Sequence, residues 1–258
     1  MSADRFANLG TRLIGRTVCW HESLPSTNDL AVQLTGLPAP EGTVVLADEQ
    51  TAGRGRLGRP WASPRGGIWL SVILRPAFPL ERVSLVGLAA AVATARAIRE
   101  ITELPARVKW PNDVLVGGSK IVGILTEATA GAEWVVVGVG INANIPLAAL
   151  PLVGGYPATS LQALLGHPVD REGLIRAVLR ELDQGYAELG TGGTGGMLRR
   201  WREISDTLGR SVRVEMPDGA IEGTALDVDD AGALLVRLDD GEIRRVVAGD
   251  LRVREPGR

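Results

Sequence analysis

The segment TAGRGRLGRPW, residues 51–61, concentrates arginine and glycine, and we call it the arginine loop. Three glycines and three arginines occupy the seven positions from Gly53 to Arg59. A guanidinium group carries a permanent charge and a planar fork of donors, so it can bind phosphate oxygens through paired hydrogen bonds. Glycine lets main-chain donors approach a ligand closely. The pattern favours a loop that binds a nucleotide phosphate, with a solvated hairpin loop as the alternative.

Three other short segments carry side chains that could share a site with this loop. STND, residues 26–29, predicts a helix start in which Ser26 is the N-cap and Asp29 is at the N3 position. KWPND, residues 109–113, sets a lysine, an aromatic ring, an amide and a carboxylate beside a turn. Lys120, in GGSKIVGIL, is by itself typical of an exposed strand lysine. Each segment has a structural explanation of its own, and their combination favours a shared site.

Composition and charge argue against several classes of protein. The formal net charge is -2 and the isoelectric point is about 5.8, whereas a protein that coats nucleic acid needs a basic face. Cys19, His21 and His167 are too few and too scattered for an internal disulfide or a cysteine-based zinc site. The sequence shows no signal-peptide core and no apolar run that would span a membrane. We therefore expect a cytoplasmic protein whose basic site is local.

The common nucleotide-binding signatures are missing from the sequence. No G-x-x-x-x-G-K-[ST] segment occurs, and GVGIN, residues 138–142, offers only two of the three glycines of a dinucleotide-binding turn. The glycine run 190–196 has no predicted strand before it, so we interpret it as a flexible linker. The arginine loop therefore stays the main candidate for binding phosphate.

Residue patterns place the arginine loop between two β-strands. They also predict an alanine-rich buried helix, an antiparallel strand pair joined at TAGAE, and two helices separated by the glycine run. From about Gly209, turn signals every ~8–12 residues predict a small barrel. The predicted strands are 42–50, 66–76, 120–129 and 133–145, and the predicted helices are 29–34, 80–101, 171–189 and 197–205. We expect two domains, residues 1–208 and 209–258.

The motifs together resemble those of biotin protein ligases, also called biotin-[acetyl-CoA-carboxylase] ligases. STND, DEQTAGRGRLGRPW, KWPNDV, GGSKIVGIL and GVGIN follow one another in the order and approximate spacing of that family, over roughly residues 18–255. The resemblance implies an α+β fold. Its catalytic domain would be a mixed β-sheet with helices, similar to the core of class II aminoacyl-tRNA synthetases, and its C-terminal domain a small SH3-like barrel.

The resemblance also implies a two-step reaction and a set of site residues. Biotin would react with ATP, with Mg²⁺ present, to give biotinyl-5'-adenylate, and a lysine of a biotin carboxyl carrier protein would then take the biotinyl group. Lys120 and Arg56 would stabilise the reacting charges, and Asp113 is a weaker candidate for holding the metal. The implied biotin-binding residues are Ser26, Thr27, Asn28, Gln50, Arg54, Gly55, Arg56 and Lys120. The implied ATP- or adenylate-binding residues are Arg54, Arg56, Arg59, Trp61, Lys109, Asn112, Asp113 and Asn142, with Trp110 also expected near the ligands.

Further expectations concern loop motion, DNA binding and rival functions. Residues 50–64 are predicted to become ordered over biotin or adenylate, which would protect the anhydride from water. Only 25 residues precede STND, so we expect no N-terminal DNA-binding domain, no operator DNA as partner and no direct repressor activity. The sequence leaves open whether the protein forms a homodimer. The rivals are a lipoate or octanoate ligase of related fold, and a nucleic-acid-binding module that uses GRGRLGR.

Overall fold

The chain folds into an α+β structure that begins with a seven-strand mixed sheet, in agreement with the predicted fold class. The computed structural model describes residue 6 and residues 8–78, 82–129, 133–150 and 158–253. The strands are β1 (Val18–His21), β2 (Val44–Ala47), β3 (Ile68–Leu74), β4 (Arg107–Lys109), β5 (Asp113–Val116), β6 (Ser119–Ala128) and β7 (Val135–Ile141). Their order is β1-β2-β3-β7-β6-β5-β4. β1 and β2 are parallel, and all the other neighbours are antiparallel, including the predicted pair β6 and β7.

Helices cover both faces of this sheet. They are α1 (Thr27–Thr35), α2 (Val83–Thr102), α3 (Leu161–Leu165), α4 (Arg171–Gly190) and α5 (Thr194–Glu203). α2 and α4 pack on one face, while α1 packs on β2, β3 and β7 on the other. β3 is buried along its whole length because it lies between these layers, which explains why all its residues except Ser71 are apolar. Among the described residues, no helix is long and apolar enough to cross a membrane.

Alanine allows α2 to lie close to the sheet. Its small residues are almost all buried, and a Cβ added at Gly87 would lie only 3.1 Å from Thr126 Oγ1 on β6. The predicted helix 80–101 is confirmed from Val83, and residues 80 and 81 lie outside the described residues. This layer supports the sheet from the side opposite to α1. The polar contacts of the STND segment lie on the α1 side.

A second sheet follows, where the sequence predicts a small barrel. Its five antiparallel strands are β8 (Ser211–Met216), β9 (Gly219–Val228), β10 (Leu234–Arg237), β11 (Ile243–Val246) and β12 (Asp250–Val253). Their order is β11-β10-β9-β8-β12. The division of the chain into residues 1–208 and 209–258 stays a prediction.

Trp110 packs against the second part of the chain, and its expected place near the ligands stays a prediction. The side chain is 1% exposed, and its Nε1 donates a hydrogen bond to Gly232 O at 3.2 Å. Its main-chain N–H donates to Thr207 Oγ1 at 2.9 Å. A large ring held on both sides in this way is a packing residue between the first sheet and the segments that follow α5.

The glycine run 190–196 is not the flexible linker that its composition predicts. α4 continues to Gly190 and α5 begins at Thr194, so the connection between the helices is three residues long. Arg200 of α5 forms an ion pair with Glu188 of α4, and α5 buries Trp201 completely. These contacts override the low helix propensity of glycine, as tertiary packing often does.

Candidate active site

The first turn of α1 delivers three polar side chains to the sheet. Ser26 is the N-cap of the helix, and its hydroxyl accepts a hydrogen bond from Asp29 N, as the sequence predicts. Ser26, Thr27 and Asn28 are each at most 4% exposed, although α1 packs on apolar strands. Buried polar groups need partners, and the partners come from distant parts of the chain.

A chain of hydrogen bonds runs from Gln50 to Glu127 across the face that α1 covers. Gln50 Oε1 accepts from Thr27 N at 2.7 Å, and Ser71 Oγ lies 2.7 Å from Thr27 Oγ1 and 2.5 Å from Asn28 Oδ1. Asn28 Nδ2 donates to Glu127 Oε2 at 2.8 Å. Gln50 Nε2 donates to Ser63 Oγ at 2.8 Å at the other end. Amides, hydroxyls and a carboxylate thus form one connected polar network that offers both donors and acceptors.

Glycines form the floor beside this network. A Cβ added at Gly138 would lie 2.2 Å from Asn28 Oδ1, and one added at Gly140 would lie 2.7 Å from Trp61 Nε1. Trp61 also lies on Gly123, where an added Cβ would approach its ring to 3.1 Å. Positions 138 and 140 share a face of β7, so the Asn28 amide and the Trp61 ring are neighbours, about 7 Å apart along the strand. Trp61 Nε1 is buried and has no hydrogen-bond partner among the described residues.

A cation cluster adjoins the Trp61 ring. Lys120 Nζ lies 5.0 Å from the ring centroid and 2.5 Å from Asp113 Oδ1. Lys109 Nζ lies 3.4 Å from Asp113 Oδ2. Lysine occurs at only these two positions in the chain, which has 28 lysine and arginine residues in all. Both lysines therefore converge on one carboxylate near the Trp61 ring, where we expect the ligand pocket.

This geometry does not fit Asp113 as a ligand for Mg²⁺. Each of its oxygens already faces an ammonium group, and a metal ion would have to displace both lysines. Within the described ranges, no group of three His, Cys, Asp or Glu side chains could hold a metal ion. The weak assignment of a metal to Asp113 thus receives no geometric support.

The three arginines of the arginine loop are all held by other parts of the protein. Arg54 forms ion pairs with Asp29 of α1 and with Glu127 of β6, and its hydrogen bond to Asp29 raises the pKa of the guanidinium. Arg59 forms an ion pair with Asp250 at the start of β12. The loop is therefore docked both on the first sheet and on the second.

Arg56 is the most enclosed of these arginines. Its Nη1 donates to Asn112 Oδ1 at 3.3 Å and to Gly249 O at 3.1 Å. Burial lowers the pKa of the Arg56 guanidinium. Asn112 is adjacent to Asp113, the partner of Lys120, so Arg56 and Lys120 reach neighbouring residues from different segments.

The remaining predicted site residues have main-chain or packing contacts. Gly55 N donates to Arg59 O at 2.8 Å, which closes the tip of the arginine loop. Asn112 Nδ2 donates to Ile124 O at 2.7 Å and fixes the KWPND turn on β6. Asn142 is 2% exposed and its Nδ2 donates to Thr159 O at 3.0 Å. The structure thus gives Asn142 a buried partner in the chain, and its role in ATP binding stays a prediction.

Three residues of the site were not found from the sequence: Ser71, Glu127 and Asp250. Ser71 lies in an otherwise apolar strand, and a polar residue in such a strand is the signal that could have marked it. Glu127 lies in β6 together with Ser119, Lys120 and Thr126, so it does not stand out in that strand. Asp250 follows a turn-rich stretch of the sequence, and no motif there marks it as a site residue. All three meet their partners only through long-range folding.

Comparisons with known proteins agree with this fold. Residues 20–144 match the model of the Biotin/lipoate A/B protein ligase family, and residues 207–252 match that of the Biotin protein ligase C terminal domain. The chain belongs to the biotin protein ligase family.

Individual relatives and solved structures support the same assignment. The chain is 38% identical to "Bifunctional ligase/repressor BirA" of Bacillus subtilis, over 95% of this chain and 76% of that protein. It is 35% identical to "Biotin--[acetyl-CoA-carboxylase] ligase" of Mycobacterium tuberculosis, over 95% of this chain and 93% of that protein. The structure of the biotin protein ligase from Aquifex aeolicus in complex with biotin and ATP matches with a TM-score of 0.79 and 29% identity, and the match covers 93% of this chain and 99% of that chain.

Proposed function

We propose that this protein joins biotin to a carrier protein in two steps, through biotinyl-5'-adenylate. The observation that carries the proposal is the juxtaposition of the polar network at Asn28 with the cations Lys120 and Arg56. Such a pocket suits the ureido ring of biotin, which has both donors and acceptors, and the cations suit its carboxylate and the phosphates of ATP.

In the first step, a biotin carboxylate oxygen attacks the α-phosphorus of ATP, and the bond to pyrophosphate breaks. Both reactants are anions, so the barrier falls when fixed cations are already aimed at the reacting oxygens. We assign this role to Lys120 and Arg56. Both are held in place by neighbours, which limits the reorganisation needed when the charges shift. Mg²⁺ enters as the counter-ion of ATP, and no step is assigned to a protein-bound metal.

In the second step, the ε-amine of a carrier lysine attacks the carbonyl carbon of the adenylate. AMP leaves with the bonding electrons, and the amine loses a proton to give the amide. Lys120 is assigned to stabilise the leaving phosphate and is not the nucleophile. The proposed carrier is a biotin carboxyl carrier protein, as the name of the Mycobacterium tuberculosis relative suggests.

Other parts of the proposal rest on the sequence and the family. We propose a cytoplasmic location, since a single cysteine is typical of proteins in a reducing compartment. We also propose that residues 1–208 form the catalytic domain and residues 209–258 the C-terminal domain. The second match, to a biotin protein ligase domain, favours biotin over lipoate as the acid.

The test is pyrophosphate exchange into ATP with biotin, lipoate or octanoate as the acid. We expect exchange with biotin alone, and exchange with lipoate alone would overturn the choice of substrate. Lys120→Ala should lower the rate by about 100-fold or more, the typical effect of removing one group that stabilises the developing charge. Arg213→Ala, an exposed cation of β8, is the matched control and should keep the wild-type rate. Biotin transfer to a purified carrier domain tests the second step.

A further inference from the structure

Glu127 connects the polar pocket with the arginine loop. Its Oε2 accepts the Asn28 amide hydrogen bond at 2.8 Å, and its Oε1 lies 3.3 Å from Arg54 Nη1. The side chain is 30% exposed and lies on the face of β6 that turns toward α1. One carboxylate therefore contacts a pocket residue on one side and the arginine loop on the other.

The carboxylate also fixes which way the Asn28 amide points. An ionised carboxylate only accepts hydrogen bonds, so it requires Asn28 Nδ2 on its side and leaves Oδ1 facing Ser71. Ser71 has a single hydroxyl proton, and Asn28 Oδ1 can only accept it. Gln50 Oε1 accepts both the Thr27 main-chain N–H at 2.7 Å and the Thr27 hydroxyl at 3.0 Å, since an amide oxygen has two lone pairs. Glu127 thus sets the orientation of the Asn28 amide and, through it, of the Ser71 hydroxyl.

We propose that Glu127 is a positioning residue that makes filling of the biotin pocket and docking of the arginine loop one coupled event. The inference rests on the proposed function. Arg54 lies two residues before Arg56, so docking Arg54 on Glu127 also limits where Arg56 can lie. A ligand that orders Asn28 strengthens the Glu127 contact and thereby the Arg54 contact, and a docked loop in turn orders the pocket.

Asp29 provides a matched comparison because it has only one half of this connection. Asp29 forms an ion pair with Arg54, as Glu127 does. The Asn28 amide, however, donates to Glu127 and to Leu125 O and not to Asp29. Removing the Asp29 charge should therefore weaken loop docking and leave the pocket amide in place. Removing the Glu127 charge should affect both.

The experiment combines biotin titration with hydrogen exchange of residues 51–61. In the wild type, biotin should slow exchange in this segment. In Glu127→Gln, biotin affinity should fall about three- to tenfold, as expected for the loss of charge-assisted hydrogen bonds at a half-buried site, and the slowing in the loop should disappear. In Asp29→Asn, affinity should stay within about twofold, with reduced slowing in the loop. Glu133→Gln, which breaks the Arg75 ion pair elsewhere on the sheet, should match the wild type.

Each result decides the question. Wild-type affinity together with wild-type loop protection in Glu127→Gln would overturn the proposal, and so would equal losses of affinity in Glu127→Gln and Asp29→Asn. A merely structural Glu127 would lower the melting temperature but leave the response of the loop to biotin intact. Arg54→Gln supplies a second variant, which should lose loop protection, and adding Glu127→Gln to it should reduce loop protection no further. A wild type that neither binds biotin nor exchanges pyrophosphate would instead refute the proposed function.

Discussion

Adding one methyl group at Gly138 should disable the pocket without unfolding the protein. In Gly138→Ala the new Cβ would lie 2.2 Å from Asn28 Oδ1 and 2.9 Å from Asn28 Cγ. A non-bonded contact of this kind requires the amide to move by about 1 Å. The colliding atoms belong to the end of a side chain, so the fold can accept the shift. The hydrogen bonds of Asn28 to Ser71 and Glu127, at 2.5 and 2.8 Å, cannot both survive it.

The size of the effect follows from those two bonds. A neutral hydrogen bond contributes about 0.5–1.5 kcal/mol and one to a charged group about 1.5–3 kcal/mol. Alanine restricts the unfolded chain more than glycine does, and this effect raises the free energy of unfolding by about 0.4–1 kcal/mol. We therefore expect Gly138→Ala to lower the free energy of unfolding by about 1–4 kcal/mol and to weaken biotin binding by more than about tenfold. Gly123→Ala meets Trp61 at 3.1 Å and should have a smaller effect.

Urea denaturation and biotin titration calorimetry measure the two quantities separately. Gly195→Ala is the control, because its Cβ meets nothing within 4 Å and it lies in α5. That change should stabilise the protein by about 0.5–1 kcal/mol and leave biotin binding unchanged. Wild-type biotin affinity in Gly138→Ala would refute the idea that the orientation of Asn28 defines the pocket.

Two other contacts give separate predictions. Asp183 is 7% exposed and accepts three main-chain N–H groups of residues 12–14 at 2.8–2.9 Å, so Asp183→Asn should cost about 2–4 kcal/mol in urea denaturation while leaving pyrophosphate exchange unchanged in the folded protein. Asp250→Asn releases Arg59 from the second sheet and should raise the KM for ATP by less than about fivefold, an effect that high salt should reduce. Equal KM values in the wild type and Asp250→Asn at low salt would show that the ion pair does not position the loop.

The local features of the site could be predicted from the sequence because they depend on neighbouring residues. The Ser26 cap needs only the next three residues, and Lys109 and Asp113 meet across a single turn. The arginine loop could be predicted from its glycine and arginine content and from its position between two predicted strands. In each of these features the interacting residues are close in sequence, so rules of local backbone geometry are enough to predict them.

The connections between these features could not be predicted because they join distant positions. Asn28 lies 43 residues from Ser71 and 99 from Glu127, and Arg59 lies 191 residues from Asp250. Strand register decides such contacts, and a shift of one residue would turn Glu127 to the opposite face of the sheet. The flexible linker predicted at the glycine run is wrong for the same reason, because the Glu188 ion pair that holds α5 is a tertiary contact.

The scarcity of lysine leads to a last prediction about side reactions. An acyl-adenylate that escapes can acylate any accessible amine, whereas the guanidinium of arginine stays charged and is a poor nucleophile. The only two lysines of the chain both contact Asp113, so the side chains at the surface offer arginine in place of amines. We expect Arg56→Ala to release adenylate and biotinylate a bystander protein, with no biotin on the ligase's own lysines in a mass-spectrometric digest. Adding Arg213→Lys on exposed β8 should create a labelled position, because that side chain is 46% exposed. Biotin on Lys109 or Lys120 in the Arg56→Ala protein would show that their pairing with Asp113 does not protect them.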